Sequence, residues 1–151
     1  GPPQPPGEQY LLGLYDPDGL SNGGRLPIVL AMTCLTSGFH QPAFSGTTLD
    51  ERLLLSPGGG AVAVWGPAGL GVAHGHDALL RGFLAGLRAA PGTATLGELT
   101  LAGYGALRAD AALGRAGDLS ALRTYVLLGD PLTPARVLGA EGRVALPLVQ
   151  R

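Results

Sequence analysis

The sequence predicts an α/β fold in which a parallel sheet is flanked by helices on both faces. Two short apolar runs, residues 28–32 and 61–65, carry no charge and are bounded by glycine or proline. This pattern is typical of strands that are buried on both faces. Segments with leucines at helical spacing alternate with these runs, as in α/β proteins. Because two central strands leave both sheet edges open, we expect the sheet to be incomplete, with its N-terminal strands missing from this chain.

Composition excludes several classes of protein. The 151 residues are 46% hydrophobic and 14% charged, which is enough for one folded domain with a core of its own. The net charge is −1 without a basic run, so nucleic-acid binding has no electrostatic support. The longest apolar run, residues 26–35, is shorter than the ~20 residues that a membrane span needs. The start of the sequence also lacks the basic and apolar regions of a signal peptide.

The distribution of proline and glycine predicts three parts of the chain. Residues 1–24 form a flexible Pro/Gly-rich leader and turn region, because such a composition does not supply a packed element. Residues 25–134 contain the predicted strands and helices. Residues 135–151 carry scattered Val, Leu and Pro, and they are interpreted as trailing edge strands or as the start of a following segment.

Capping boxes and leucine spacing predict the helices. Thr48 with Glu51 opens one helix, and Thr95 with Glu98 opens another, since each pair satisfies the exposed amides of a first turn. Between them, Leu and Phe recur at helical spacing and predict a long helix over residues 73–89.

Two further segments have less definite patterns. The three glycines at 58–60 resemble a phosphate-binding loop, but no Gly-Lys-Ser/Thr follows them, and the next predicted element is a strand. Phosphate binding is therefore not expected. Residues 119–128 are apolar and predict a helix that turns into a loop.

Cys34 is the only cysteine, and it follows the first predicted strand directly. Active sites of parallel sheets gather at the carboxyl ends of strands, so a thiol there is a candidate nucleophile. The alternative is a small buried side chain that happens to contain sulfur. A single cysteine excludes an internal disulfide framework and a cysteine-rich zinc site.

The predicted substrate pocket joins the loops that follow the two strands. If the strands are parallel neighbours, the loop after residue 65 lies beside Cys34. The pocket candidates are the small or aromatic residues of these loops: Thr36, Ser37, Trp65, Gly66 and Pro67. For Trp65, packing in the core is the alternative.

A thiol nucleophile needs a general base, and the chain contains three histidines. His40 lies six residues after Cys34, whereas His74 and His76 open the predicted helix over 73–89. All three are secondary candidates, with local hydrogen bonding as the alternative. His74, His76 and Asp77 lack a further convergent ligand, so no metal site is predicted.

The segment IVLAMTCLTSGF, residues 28–39, resembles the catalytic-cysteine motif of the gingipain-like cysteine peptidases, which are caspase-like endopeptidases. Residues 49–60, 61–69 and 124–131 fit the same family in the same order, and the last resembles the segment that closes its peptidase domain. The resemblance covers about residues 26–134. It implies that residues 25–134 are the C-terminal part of a caspase-like peptidase domain.

The resemblance implies acyl transfer to the thiolate of Cys34, with a histidine as base and acid and the Cys34 amide as oxyanion donor. In the family this histidine belongs to an upstream His-Gly motif, yet the 33 residues before Cys34 contain no histidine. The catalytic histidine is therefore expected outside this chain, on the upstream half of the same domain, and this chain alone is expected to be inactive. The family's asparagine two residues after the cysteine is replaced by Thr36.

The resemblance also implies a polypeptide substrate, an extracellular or cell-surface location and no cofactor. A structural calcium ion is compatible with it, although no ligands can be assigned. Two alternatives to the endopeptidase stay open. One is a catalytically inactive caspase-like interaction or scaffolding domain, and the other is a self-contained thiol hydrolase that uses His40, His74 or His76.

Overall fold

The computed structural model describes residues 11–40, 46–70, 73–115 and 119–136, and only the backbone of residues 73 and 74. The predicted trailing segment lies almost wholly outside these ranges, as does the first part of the predicted leader. A short 3-10 helix, Asp16–Gly19, precedes the main elements. In chain order these are β1 (Ile28–Leu30), α1 (Leu49–Leu55), β2 (Ala63–Pro67), α2 (Ala73–Ala89), α3 (Leu96–Ala112), α4 (Ala121–Thr124) and β3 (Tyr125–Leu128).

The sheet has three strands in the order β1-β2-β3, and it is mixed rather than parallel. β1 and β2 are parallel, with Val29 opposite Val64, as the sequence predicts. β3 runs antiparallel to β2, with Leu127 opposite Trp65. A single crossover helix after β2 would bring the chain back to the amino end of the sheet, and the next strand would be parallel to β2. Two long helices, α2 and α3, follow β2 instead. The chain therefore comes back at the carboxyl end of the sheet, and β3 runs antiparallel to β2.

Helices cover both faces of this sheet, as predicted. Successive residues of β2 point to opposite faces, so Val64 packs with Leu53 of α1 while Trp65 packs with the core formed by α2 and α3. Both strand residues are fully buried. Burial of a side chain such as that of Val64 contributes roughly 1.5–3 kcal/mol to stability. β2 therefore anchors the helix layers on its two faces to the sheet.

The predicted helix starts are confirmed. Thr48 Oγ1 accepts from the Glu51 amide at 3.2 Å, and Glu51 Oε2 accepts from the Thr48 amide at 2.7 Å. Thr95 and Glu98 form the same reciprocal pair at the start of α3. The predicted bounds of the long helix, 73–89, are those of α2.

A glycine in α3 allows this helix to approach the sheet. A Cβ at Gly103 would collide with the indole ring of Trp65 and would lie 2.9 Å from Leu79 O of α2. Glycine inside a helix costs about 1 kcal/mol relative to alanine. The close contact of α3 with Trp65 and α2 compensates for this cost.

Residues 11–24, within the predicted leader and turn region, contact α1 and the turn that follows it. Asp18 forms an ion pair with Arg52 of α1, and Asn22 Nδ2 donates to Gly60 O at 3.0 Å. Within the described ranges, the helices are all too short or too polar to cross a bilayer.

Candidate active site

Cys34 is exposed on the loop that follows β1. The backbone of this loop is bound to the carboxyl end of β2: Ala31 N donates to Trp65 O at 2.9 Å, and Ser37 N donates to Pro67 O at 3.0 Å. Leu35 N, next to Cys34, donates to Gly69 O at 3.3 Å. The thiol therefore stands at the carboxyl edge of two parallel strands. Because Cys34 is exposed, it is not the small buried side chain that was the alternative to a nucleophile.

The turn around Cys34 contains a strained residue. Leu35 has a φ of 61°, in the left-handed region that is unfavourable for a side chain with a Cβ. Such a conformation costs roughly 1–2 kcal/mol. Gly38 N closes the turn by donating to Leu35 O at 3.2 Å. The strain is held by these backbone bonds, and its position directly after the thiol is typical of functional loops.

On the α1 side of the sheet, polar groups lie beneath the loop. Ser37 is fully buried, and its hydroxyl donates to Oδ2 of Asp50, which is only 1% exposed. The amide of Asp50 in turn donates to Thr36 O at 3.3 Å. Burial raises the pKa of the Asp50 carboxyl above its ordinary value of 3.8, and the Ser37 hydroxyl partly offsets this rise.

On the opposite side of the sheet, aromatic groups support the same loop. Tyr125 Oη donates to Ala31 O at 3.1 Å and lies 3.7 Å from Met32 Sδ. Tyr104 Oη donates to Tyr125 O at 2.9 Å and accepts from Trp65 Nε1 at 3.3 Å. Burial raises the pKa of Tyr125 far above its ordinary value of 10.0, with a further contribution from Cys34.

The structure places most of the predicted pocket residues below Cys34 rather than around it. Ser37, Trp65, Gly66 and Pro67 are buried, and Thr36 is half-buried. Trp65 belongs to the core, stacked on Phe83 with ring centroids 5.6 Å apart, which is the arrangement of the second alternative, packing in the core. The physical reason is that β2 continues through Pro67, so the residues expected in a loop are covered strand residues.

The histidines lie in different surroundings. His40 is exposed at the end of the thiol loop, with its ring edge-on to Phe39 at 6.2 Å. His76 is 8% exposed, and its ring centroid lies 5.4 Å from that of Tyr125. Its Nε2 atom is buried without a hydrogen-bond partner in the described ranges. The side chain of His74 lies outside what the structure describes. The contacts shown for His40 and His76 do not include Cys34.

Sequence reasoning missed the roles of Asp50 and Tyr125 and a small cleft beside α4. The cleft has a volume of about 320 Å³ and is lined by Leu119, Ser120, Arg123 and Thr124. It adjoins the loop after β2, because Ala68 N donates to Thr124 O at 2.7 Å. The sequence pattern does not indicate a cleft here, since residues 119–128 resemble an ordinary apolar segment.

The described residues do not form a metal centre. Across these ranges, no three His, Cys, Asp or Glu side chains gather closely enough to hold an ion. No chemical step proposed for this protein depends on such an ion.

Comparison with known proteins adds one finding. The family model described as Peptidase family C25 matches residues 6–136, which is most of the chain. No curated protein and no solved structure matches the sequence.

Proposed function

Because the chain belongs to peptidase family C25, the family of the gingipains, we propose that it is a cysteine endopeptidase with Cys34 as its nucleophile. The observation that carries this proposal is the exposed thiol at the carboxyl end of β1, inside the matched region. The family supports a cysteine peptidase acting on polypeptides. We propose in addition that Cys34 is the nucleophile and that cleavage occurs within the polypeptide.

The proposed reaction is acyl transfer followed by hydrolysis. Cys34 Sγ attacks the carbonyl carbon of the peptide bond, and the amine leaves with a proton to give a thioester. Water then attacks the thioester carbonyl, which releases the carboxylic acid and restores the thiol. The backbone amide of Cys34 is proposed to donate to the oxyanion of both tetrahedral intermediates.

The proposed base is a histidine outside the described residues, on the upstream half of the peptidase domain. Two features support this assignment. His76 packs against Tyr125 inside the protein, and His40 packs edge-on to Phe39. The ring contacts of these two histidines are thus with aromatic side chains, whereas a base must come within about 2.6–3.2 Å of the thiol. As in the gingipain-like peptidases that it resembles, we propose that the protein acts outside the cell or at its surface.

Peptide hydrolysis by Cys34 variants tests the proposal. With the upstream half of the peptidase domain present, the wild-type protein should cleave an unfolded polypeptide. Cys34→Ala in the same protein should lose this activity while it keeps the wild-type circular dichroism spectrum. Ser56→Ala is the control, because it removes a hydroxyl that bonds Pro17 O at 2.8 Å, on the 11–24 segment rather than on the thiol loop. Equal cleavage by wild type and Cys34→Ala would overturn the assignment of the nucleophile. No cleavage by either protein would favour the inactive interaction domain.

A further inference from the structure

Asp50 is a buried acid without a cation. It is 1% exposed, and it forms no ion pair with any Arg or His side chain that the structure describes. The nearest cation along its helix, Arg52, is bound to Asp18 instead. A buried carboxyl is unfavourable unless donors satisfy its oxygens, so the groups around Asp50 indicate why it is there.

Those groups belong to the loop that carries Cys34. Ser37 Oγ donates to Asp50 Oδ2, and Asp50 N donates to Thr36 O at 3.3 Å. The side chain and the backbone of Asp50 thus bind Ser37 and Thr36, the two residues that follow the strained Leu35. The bond from Ser37 N to Pro67 O, at 3.0 Å, fastens the same point of the loop to β2.

The sheet also makes room for this carboxyl. A Cβ at Gly66 of β2 would collide with Asp50 Oδ2 and would lie 3.0 Å from Thr36 Oγ1. Three elements therefore meet at Asp50: the thiol loop, α1 and β2. Thr36 Oγ1 and Asp50 Oδ1 are buried there without a hydrogen-bond partner in the described parts of the chain.

From this junction we infer that Asp50 is a positioning residue for Cys34, which holds the thiol loop in place through Ser37. The inference rests on the proposed function, because the loop matters for catalysis only if Cys34 is the nucleophile. Asp50 acts through Ser37 and does not itself touch the substrate. Asp50 supplies a hydrogen-bond acceptor to Ser37. We therefore expect asparagine, an amide of the same shape, to position the loop equally well.

Hydrogen exchange and thiol labelling test the inference together. The variants are Asp50→Ala, Ser37→Ala and the isosteric Asp50→Asn, with Ser56→Ala as the control for loss of a serine hydroxyl bond elsewhere. The first readout is the hydrogen-exchange rate of the backbone amides at positions 35 and 37. A second readout is the rate at which Cys34 reacts with a peptidyl acyloxymethyl ketone, divided by its rate with iodoacetamide. Iodoacetamide reports how exposed the thiol is, whereas the peptidyl reagent also depends on its orientation. The ratio of the two rates therefore isolates the effect of orientation.

In Asp50→Ala and Ser37→Ala, both amides should exchange about fivefold to tenfold faster, as expected for loss of one buried hydrogen bond. The labelling ratio should fall in the same two variants. Asp50→Asn should stay within about twofold of wild type in both readouts, because its carbonyl still accepts from Ser37. The Ser56→Ala control should do the same.

Wild-type exchange at Leu35 and Ser37 in Asp50→Ala would overturn the inference. So would an Asp50→Asn variant that behaves like Asp50→Ala, since the acceptor would then not be the relevant property. If Asp50→Ala does not fold, Ser37→Ala decides the same question. If the upstream half of the peptidase domain is present and iodoacetamide labels the wild-type protein but the peptidyl reagent does not, the proposed function is contradicted, while hydrogen exchange still decides the role of Asp50.

Discussion

The two faces of the sheet support the thiol loop by different means. On the α1 face, Asp50 and Ser37 form a small buried polar contact. On the opposite face, Trp65, Tyr104 and Tyr125 form a broad aromatic layer with ring centroids 5.4–5.5 Å from the indole. The first contact is directional and specific to the loop, whereas the second is part of the main core. We conclude that one face fixes the orientation of the loop and the other supplies stability.

The largest expected effect is on the aromatic face. Trp65→Ala should lower the free energy of unfolding by about 3–5 kcal/mol, because it removes a fully buried ring and leaves a cavity between the sheet and α3. Urea unfolding followed by circular dichroism measures this loss. The control is Phe39→Ala, which removes a ring that is 45% exposed and should cost much less. Similar losses for the two variants would contradict the assignment of Trp65 to the core.

The next effect is on the polar face. Gly66→Ala should destabilise the protein by roughly 1–3 kcal/mol, because its Cβ would collide with the Asp50 carboxylate and would lie 3.1 Å from Ala31 Cβ. The loop should also move away from β2, which faster exchange of the Ser37 amide would show. Gly105→Ala is the matched control: a Cβ there meets nothing within 4 Å, and alanine should stabilise the helix by up to about 1 kcal/mol. Unchanged stability in Gly66→Ala would contradict the close contact at Asp50.

The local sequence pattern predicts the part of the fold that depends on neighbouring residues. Both capping boxes, the bounds of α2 and the parallel pairing of β1 with β2 follow from spacing alone. β3 was missed because it is four residues long and follows a one-turn helix without a Gly or Pro between them. Its antiparallel direction depends on the path of α2 and α3, which spacing does not reveal.

The site was predictable at Cys34 and much less so beneath it. Position 50 follows a capping residue, where an acid ordinarily lies exposed and stabilises the positive end of the helix. Nothing in the sequence shows that α1 turns this carboxyl toward Ser37. Trp65 was ambiguous for a similar reason, since an aromatic residue near the end of a strand serves a pocket or a core equally well.

The smallest expected effect is a change in pH dependence, measured as the difference between Asp50→Asn and wild type. The pKa of Asp50 is raised in the folded protein, so the folded state binds this proton more tightly than the unfolded chain. Its contribution to stability is present below the ordinary value of 3.8 and is lost as pH rises through the raised pKa. The free energy of unfolding of Asp50→Asn, relative to wild type, should therefore increase from acidic toward neutral pH.

The surroundings of Asp50 make this comparison interpretable. The Ser37 and Thr36 hydroxyls face it from the loop, and Gly66 faces it from β2. On its own helix, Glu51 bonds Thr48, and Arg52 is paired with Asp18. Urea unfolding of both proteins across this pH range gives the measurement. A difference that does not change with pH would mean that the carboxyl is solvated in the folded state.

The central claim is that Cys34 is a nucleophile directed at polypeptides. Intact-protein mass spectrometry after incubation with a peptidyl acyloxymethyl ketone tests it most directly, because Cys34 is the only cysteine in the sequence. We predict a single added peptidyl group, located on Cys34 by fragmentation and absent from Cys34→Ala. A folded wild-type protein that includes the upstream half of the peptidase domain would contradict the claim if iodoacetamide alkylates Cys34 and the peptidyl reagent leaves it unmodified.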